Sequence, residues 1–488
     1  MSAIIKFTGA NVLHLGMVDE GAYRHWDKNE RKPYFKYYHH QFYGQWFLSK
    51  KDVKFRGEAE GEWVKPKKIK GNDISSLQAF LSKHGFMPFA EVDGVFGYKT
   101  LASVRLFQEY VRTMEDSAIG TPDGRVGNGT HNHMIRWRDE GKYCEWGPRI
   151  DAANPFHFPL PDASSEYIHW LNLLQKTTDD FSRQMNLAED AHFDTNMDLF
   201  KFRELKNYDK ASDSLKLSEW SFNSNDIHLI GIRCHHDDGE HKRGNDDLFV
   251  LLMNGHVFKF WGSTDPKPSA SDNTVSGFEP YLIEGQHRYK FGWHYLGSRS
   301  HNKVYKALKP ATTGVLVFRD WDNDNSLTPQ DIKIGLKANP SGKRGLENPN
   351  NTINVHWTGN GHNNWSAGCQ VISGKSYINH LGKVVDCSDF SANGNRDLSA
   401  VSKPGVRKTR GAYNFLADFV LAYAGSRNEM LYTLGRDGTV TLYGDDRLME
   451  TLAAQEVLTH ISGYDKKEEG IQKLVKVLSN PGNFDGVV

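Results

Sequence analysis

The sequence predicts a multidomain α+β protein, and three observations carry that expectation. A chain of 488 residues exceeds what one ordinary hydrophobic core holds, so roughly two to four domains are expected. Helical spacing dominates from Asp73 to Val111, with Leu77, Phe80 and Leu81 on one face and then Leu101, Val104, Phe107 and Val111 on the next. From Asp226 the pattern changes to short β-branched and aromatic runs, "DIHLIGIR", "DLFVLLM-NG-HVFKFWGS", "KVYKAL" and "GVLVFRD".

Composition narrows the function classes. With 38% hydrophobic and 12% aromatic residues the chain has the means to fold. Its 60 basic side chains are balanced by 60 acidic ones, so no field of one sign points to nucleic acid or an anionic membrane. No apolar run approaches the length of a membrane span. The start, "MSAIIKFTGANVLHLG", lacks the basic and apolar regions of a Sec signal. Synthesis in the cytoplasm as a soluble product is the expectation. Cys144, Cys234, Cys369 and Cys387 form no CxxC pair, which argues against a disulfide framework and against a thiolate zinc site.

Five regions follow from the changes of character. Residues 1–70 are aromatic and glycine-rich, with short strand-like runs, and end in the solvated linker "KPKKIKGND". Residues 71–140 are helical and carry two related turns, "DGVFGYKT" at 93–100 and "DGRVGNGT" at 123–130. Their aspartates and glycines suit tight turns, and each threonine is expected to cap the next helix. After the proline-stiffened "NPFHFPLPD", residues 155–222 read as a helical connector, either a brace or an interaction surface. Residues 223–405 form the β-rich domain, where Asn254-Gly255 marks a hairpin. Residues 406–488 read as an α+β extension with a helix in "YNFLADFVLAYAG".

The first of these domains resembles the small helical peptidoglycan-binding domain of cell-wall hydrolases. The likeness rests on "LQAFL…G…VDGVFGYKT…FQ" over about residues 71–137. It implies a module that holds wall polymer without chemistry of its own, with Asp93, Gly94, Phe96, Gly97 and Thr100 as the matching positions.

The chemistry concentrates in "NVHWTGNGHNNWSAGCQVISG", residues 354–374. A nucleophilic cysteine needs a base and needs donors for the oxyanion that its attack creates. Cys369 follows small residues that let a substrate approach and leave the Gly368 and Cys369 amides to act as donors. His356, on a strand-like run, lies thirteen residues upstream across a loop rich in glycine and asparagine. His362 and His294 are alternative bases, although His294 reads more readily as lining the site or as structural. From residue types alone, a buried inert thiol is the favoured reading.

The full motif, "VHW…WSAGCQV", resembles the catalytic signature of the L,D-transpeptidase (YkuD-type) family. That resemblance extends through "FWGSTDP" and "LIEGQHRYKFGWH" and implies a β-sandwich-like catalytic domain over about residues 226–380. It implies Cys369 as nucleophile, His356 as general base, Gly368 in the oxyanion hole and Ser366 ordering the loop. Trp357, Trp365, His294 and His362 would line a substrate site, although aromatic packing suits the two tryptophans equally. The family form carries histidine where this chain has Ala367 and arginine where it has Val371, which leaves substrate pose and acceptor open.

Two further patterns suggest metals. "DWDNDNSLTPQD" sets Asp320, Asp322, Asp324, Ser326, Thr328 and Asp331 at the oxygen spacing of a calcium loop, with Asn325 in place of glycine. A structural calcium is weighed there against a polar turn. "CHHDDGEH", 234–241, alternates faces if extended and reads as a solvated loop; zinc-dependent wall hydrolysis would be its alternative. Catalysis itself requires no cofactor on this reading.

The expected function is a peptidoglycan-modifying cysteine enzyme acting on stem tetrapeptides through an acyl-enzyme, as L,D-carboxypeptidase, L,D-transpeptidase or D-amino-acid exchanger. Delivery as an antibacterial type VI secretion effector into the periplasm of a target cell fits, with a secretion-spike component or an immunity protein as partner. A non-catalytic wall-binding protein is the alternative.

Overall fold

The computed structural model describes residues 12–22, 67–148, 162–175, 212–233, 245, 247–266, 279–298, 301–320, 349–359, 366–390, 411–425 and 429–436. The cluster at 234–241, the calcium-loop pattern beyond Asp320, His362, Trp365, most of the N-terminal aromatic region and the final helical run lie outside those residues. The protein is mixed α and β, and its chain divides into two compact units. One comprises 1–155, 291–308 and 387–428; the other comprises 156–290, 309–386 and 429–488.

The first unit is built on α1 (Asp73–Lys83), α2 (Tyr98–Met114) and α3 (Asn128–Glu140). Phe86, Phe107 and Tyr110 meet Trp137 at ring distances of 5.3–5.4 Å, the edge-on and tilted contacts that aromatic cores favour. Strands β1 (Met17–Asp19) and β2 (Lys67–Ile69) pair in parallel, and single bridges tie Leu13 to Val126 and Val18 to Val95. Residues from the N-terminal region are therefore woven into the helical unit.

The two related turns are two copies of one hydrogen-bonded clasp, displaced by thirty positions. Gln78 Nε2 donates to Asp93 Oδ1 (2.8 Å), the Val95 carbonyl (3.0 Å) and Thr100 Oγ1 (3.1 Å), while its Oε1 accepts from the Gly94 N–H (2.9 Å). Gln108 repeats this with Asp123 (3.2 Å), the Arg125 carbonyl (3.0 Å), Thr130 (3.0 Å) and the Gly124 N–H (2.8 Å). Helix α2 closes the first clasp with Thr100 and opens the second with Gln108. The threonines do not cap their helices. Gly97 and Gly127 occupy the cap positions without a side-chain bond, and each threonine hydroxyl is drawn inward by the glutamine. Gly94 and Gly124 have φ of +72° and +76°; a Cβ on Gly124 would come within 2.3 Å of Leu101.

Helix α4 (Ala412–Tyr423) is buried on every residue, as its all-round apolar sequence requires. Its Phe419 packs 5.2 Å from Trp146. Its single charge, Asp418, is fully buried and accepts from Arg105 Nε at 2.7 Å and from Lys306 Nζ at 2.6 Å, with a second contact from the Arg105 guanidinium. Burial, with Arg105 close by, pulls the Lys306 ammonium down to about 7.

The second unit holds β3 (His228–Arg233), β4 (Asp247–Met253), β5 (His256–Ser263), β10 (Val355–Gly359), β11 (Gln370–Ile378), β12 (Val384–Asp386) and β13 (Glu429–Arg436). It also holds β6 (Pro280–Leu282), which pairs with β9 (Val317–Arg319), and parts of β7 (Gly285–Ser298) and β8 (His301–Pro310). The main sheet runs β10-β8-β7-β13-β3-β4-β5-β11-β12, and β10 also pairs with β11. That extra pairing closes the ladder into a barrel-like sheet. Closure pairs the edge of β10 that an open sheet would leave bare, and the short β12 stays paired to β11 alone.

Asn254 and Gly255 turn β4 into β5 with φ of +47° and +78°, the two-residue hairpin their sequence announces. β4 is apolar on both faces because both are covered. Leu248, Val250 and Leu252 pack with Tyr167, Trp170 and Leu174 from the helical stretch 165–175, while Phe249 lies parallel to Tyr432 at 6.3 Å. The described part of the connector thus covers the sheet, and Glu166 on it pairs with the buried Lys259.

β13 sits inside the sheet, parallel to β3 and antiparallel to β7. The stretch read as a C-terminal extension therefore supplies an interior strand.

Asp418→Ala leaves two buried cations facing each other and is expected to destabilise the first unit by about 3–5 kcal/mol. Lys306→Met retains the Arg105–Asp418 pair and should cost little, as equilibrium denaturation will show. Because Lys306 titrates near 7 in the folded state rather than at 10.5, the unfolded chain binds the extra proton between those values. Stability should climb as pH rises from about 7 to 10 and lie on its lower plateau below 7.

Candidate active site

Cys369 stands immediately before β11, and its sulfur is enclosed by backbone. The Asn354 N–H donates to Sγ at 3.4 Å, and the thiol donates to the Thr352 carbonyl at 3.2 Å. The residue as a whole is half-buried, but enclosure of the sulfur pushes the thiol up to about 11, against the opposing pull of the Asn354 N–H, Ser366 and Lys309. The resting sulfur is a neutral, hydrogen-bonded thiol.

β10 runs parallel to β11 with Val355 opposite Gln370 and His356 opposite Val371. This register brings an imidazole nitrogen of His356 within 4.8 Å of Cys369 Sγ. His356 is 7% exposed, and its Nδ1 lies 2.8 Å from the Trp357 carbonyl. A carbonyl only accepts, so the neutral ring carries its proton on Nδ1 and Nε2 holds the lone pair.

The turn before the cysteine is held by one side chain. Ser366 Oγ donates to the Cys369 carbonyl (2.7 Å) and accepts from the Gly368 N–H (3.2 Å). Of the two amides expected to meet an oxyanion, Gly368 is thus engaged internally, whereas the Cys369 N–H has no partner among the described residues. Gly368 adopts φ +134°, and a Cβ there would lie 2.5 Å from Pro280. Ala367 is exposed beside them.

Trp357 follows His356 on β10 and is half-buried. His294 is half-buried on β7, within 291–308, the stretch that groups with the first unit. Asp320 is buried at the end of β9. Of the matched positions of the helical domain, Phe96 is fully buried, Gly97 caps α2, and Asp93, Gly94 and Thr100 belong to the first clasp. Burial raises the Asp93 carboxyl to about 6.

Sequence reasoning missed four residues around the sulfur. Tyr289 and Tyr432 sit on strands whose alternation marks them only as core. Gln370 was hidden as the neighbour of a more conspicuous residue. Gly262, on β5, lies where a Cβ would come within 1.7 Å of the Val371 carbonyl, and nothing in "FWGS" announces that approach.

No protein-family model matches the chain, and neither the curated proteins nor the solved structures compared with it give a match. Among the described residues no helix is long and apolar enough to cross a membrane.

Gly262→Ala forces β5 and β11 apart beside Cys369 and should cost at least about 2–3 kcal/mol, read by thermal unfolding. Alkylation of Cys369 by iodoacetamide, followed by peptide mass spectrometry, should rise with pH toward a midpoint well above 9. A midpoint below 7 would mean a resting thiolate and contradict the enclosure described.

Proposed function

We propose that the protein is a cysteine-dependent peptidoglycan enzyme of the L,D-transpeptidase kind, acting on stem tetrapeptides. The observation that carries this reading is the His356–Cys369 pair at the start of two parallel strands, within a motif resembling that family's signature. Substrate entry would displace the Thr352 carbonyl from the thiol. His356 Nε2 would take the proton as sulfur attacks the carbonyl of the penultimate stem residue. The Cys369 N–H would stabilise the oxyanion. The C–N bond to D-alanine would break, the leaving amine would take the proton from His356, and a thioester would remain. Water as acceptor gives a carboxypeptidase; an amine gives a crosslink or an exchanged D-amino acid. The two glutamine clasps support a helical module that presents a fixed surface to wall polymer.

A second reading, a wall-binding protein without turnover, is favoured by the neutral thiol and by the engagement of the Gly368 amide with Ser366.

Mass spectrometry of purified muropeptides incubated with the parent and with Cys369→Ala decides between them. Loss of D-alanine, or new exchanged or crosslinked products, is expected from the parent alone. Turnover by both proteins would remove the cysteine from the chemistry, and turnover by neither with retained polymer binding would leave the binding reading.

A further inference from the structure

The sulfur of Cys369 is held between two backbone segments, and each is fixed by a different buried side chain. The first segment is 352–354, which supplies the Thr352 carbonyl and the Asn354 N–H. Between them, the Ile353 carbonyl accepts from Tyr289 Oη at 3.0 Å. Tyr289 is fully buried on β7, and burial raises its phenol well above its ordinary value, so it serves as a donor.

The second segment is Cys369 with Gln370. The Gln370 N–H donates to the Asn354 carbonyl at 2.9 Å, joining the two segments directly. The Gln370 side chain is fully buried and used at both ends: Nε2 donates to the Thr264 carbonyl (3.1 Å), and Oε1 accepts from Tyr432 Oη (2.9 Å). Thr264 is itself fixed. Its carbonyl and hydroxyl accept from the buried Arg233 guanidinium at 3.2 Å each, and its N–H donates to Asp247 at 2.5 Å.

Tyr289 and Tyr432 meet edge to face at 5.7 Å, so both supports converge on one buried aromatic pair. Space for it is reserved by Gly231, where a Cβ would come within 2.3 Å of Tyr432 Oη. The barrel interior thus leads from Arg233 and Asp247, at the strand ends, to the backbone on either side of the sulfur.

We propose that Tyr289 and Gln370 are positioning residues for Cys369, each fixing one of the two backbone segments that hold its sulfur, with Tyr432 coupling them. The assignment deepens the cysteine-enzyme reading and rests on it for its catalytic meaning. The positioning itself is read without turnover. Loss of either support lets water reach the sulfur; relief of desolvation then favours the thiolate. Within this unit the titratable neighbours of the sulfur are His356, Tyr289 and Lys309.

The test uses the full chain and follows alkylation of Cys369 by iodoacetamide against pH, with peptide mass spectrometry separating it from the other cysteines. Tyr289→Phe and Gln370→Met are compared with Tyr377→Phe, a buried tyrosine farther along β11. The first two should lower the midpoint by about one pH unit and raise the rate at pH 8 by about tenfold, while Tyr377→Phe stays within about twofold of the parent. With muropeptides, kcat should fall about tenfold at unchanged KM. Parental alkylation profiles in folded Tyr289→Phe and Gln370→Met would overturn the proposal. If Gln370→Met fails to fold, Tyr289→Phe decides alone. A parent without turnover removes the enzymatic reading, and the alkylation profile still decides the positioning.

Discussion

The parallel pairing of β10 with β11 is the constraint on which the rest of the second unit depends. In parallel strands the two beginnings lie side by side. Cys369, just before β11, therefore falls next to Asn354 and Val355 at the start of β10. An antiparallel return would set the cysteine beside Gly359 at the far end and leave His356 three residues away. The same pairing closes the ladder from β5 and β11 round to β8 and β10. One set of backbone bonds thus both finishes the barrel and assembles the Cys–His pair.

Buried polar groups carry unusual weight in both units. Gln78 and Gln108 each satisfy a turn, a carbonyl and a hydroxyl with one amide, and Gln370 joins a carbonyl to a hydroxyl beside the cysteine. Amides suit this use because one side chain both donates and accepts without carrying charge into the core. Where charge is buried, as at Asp418, it is matched by more than one donor. Such groups specify one arrangement more sharply than apolar contacts, because a shifted register leaves them without partners.

Much of the fold was legible locally. The apolar spacing in "DISSLQAFLSK" and "YNFLADFVLAY" gave helices close to their observed bounds, and Asn254-Gly255 gave its hairpin. The repeated turn was visible as a pattern, but its glutamines were not, because they lie well upstream of the aspartates they clasp. The pairing of β13 with β3, some two hundred residues away, leaves no local trace. Barrel closure was equally hidden, since alternation along a strand names its faces and not its neighbours. At the site, Cys369, His356 and Ser366 stood out by chemical type. Thr352 and Asn354 act through backbone atoms that any residue possesses, and Gln370 and Tyr289 act through neighbours that only the closed sheet supplies.

The most direct measurement is nitrogen NMR of the His356 imidazole in the full chain, before and after alkylation of Cys369. The geometry predicts a neutral ring protonated on Nδ1, held by the Trp357 carbonyl, with an Nε2 resonance that moves when the nearby sulfur is capped. A ring protonated on Nε2 alone, or one indifferent to alkylation, would contradict a base poised beside Cys369.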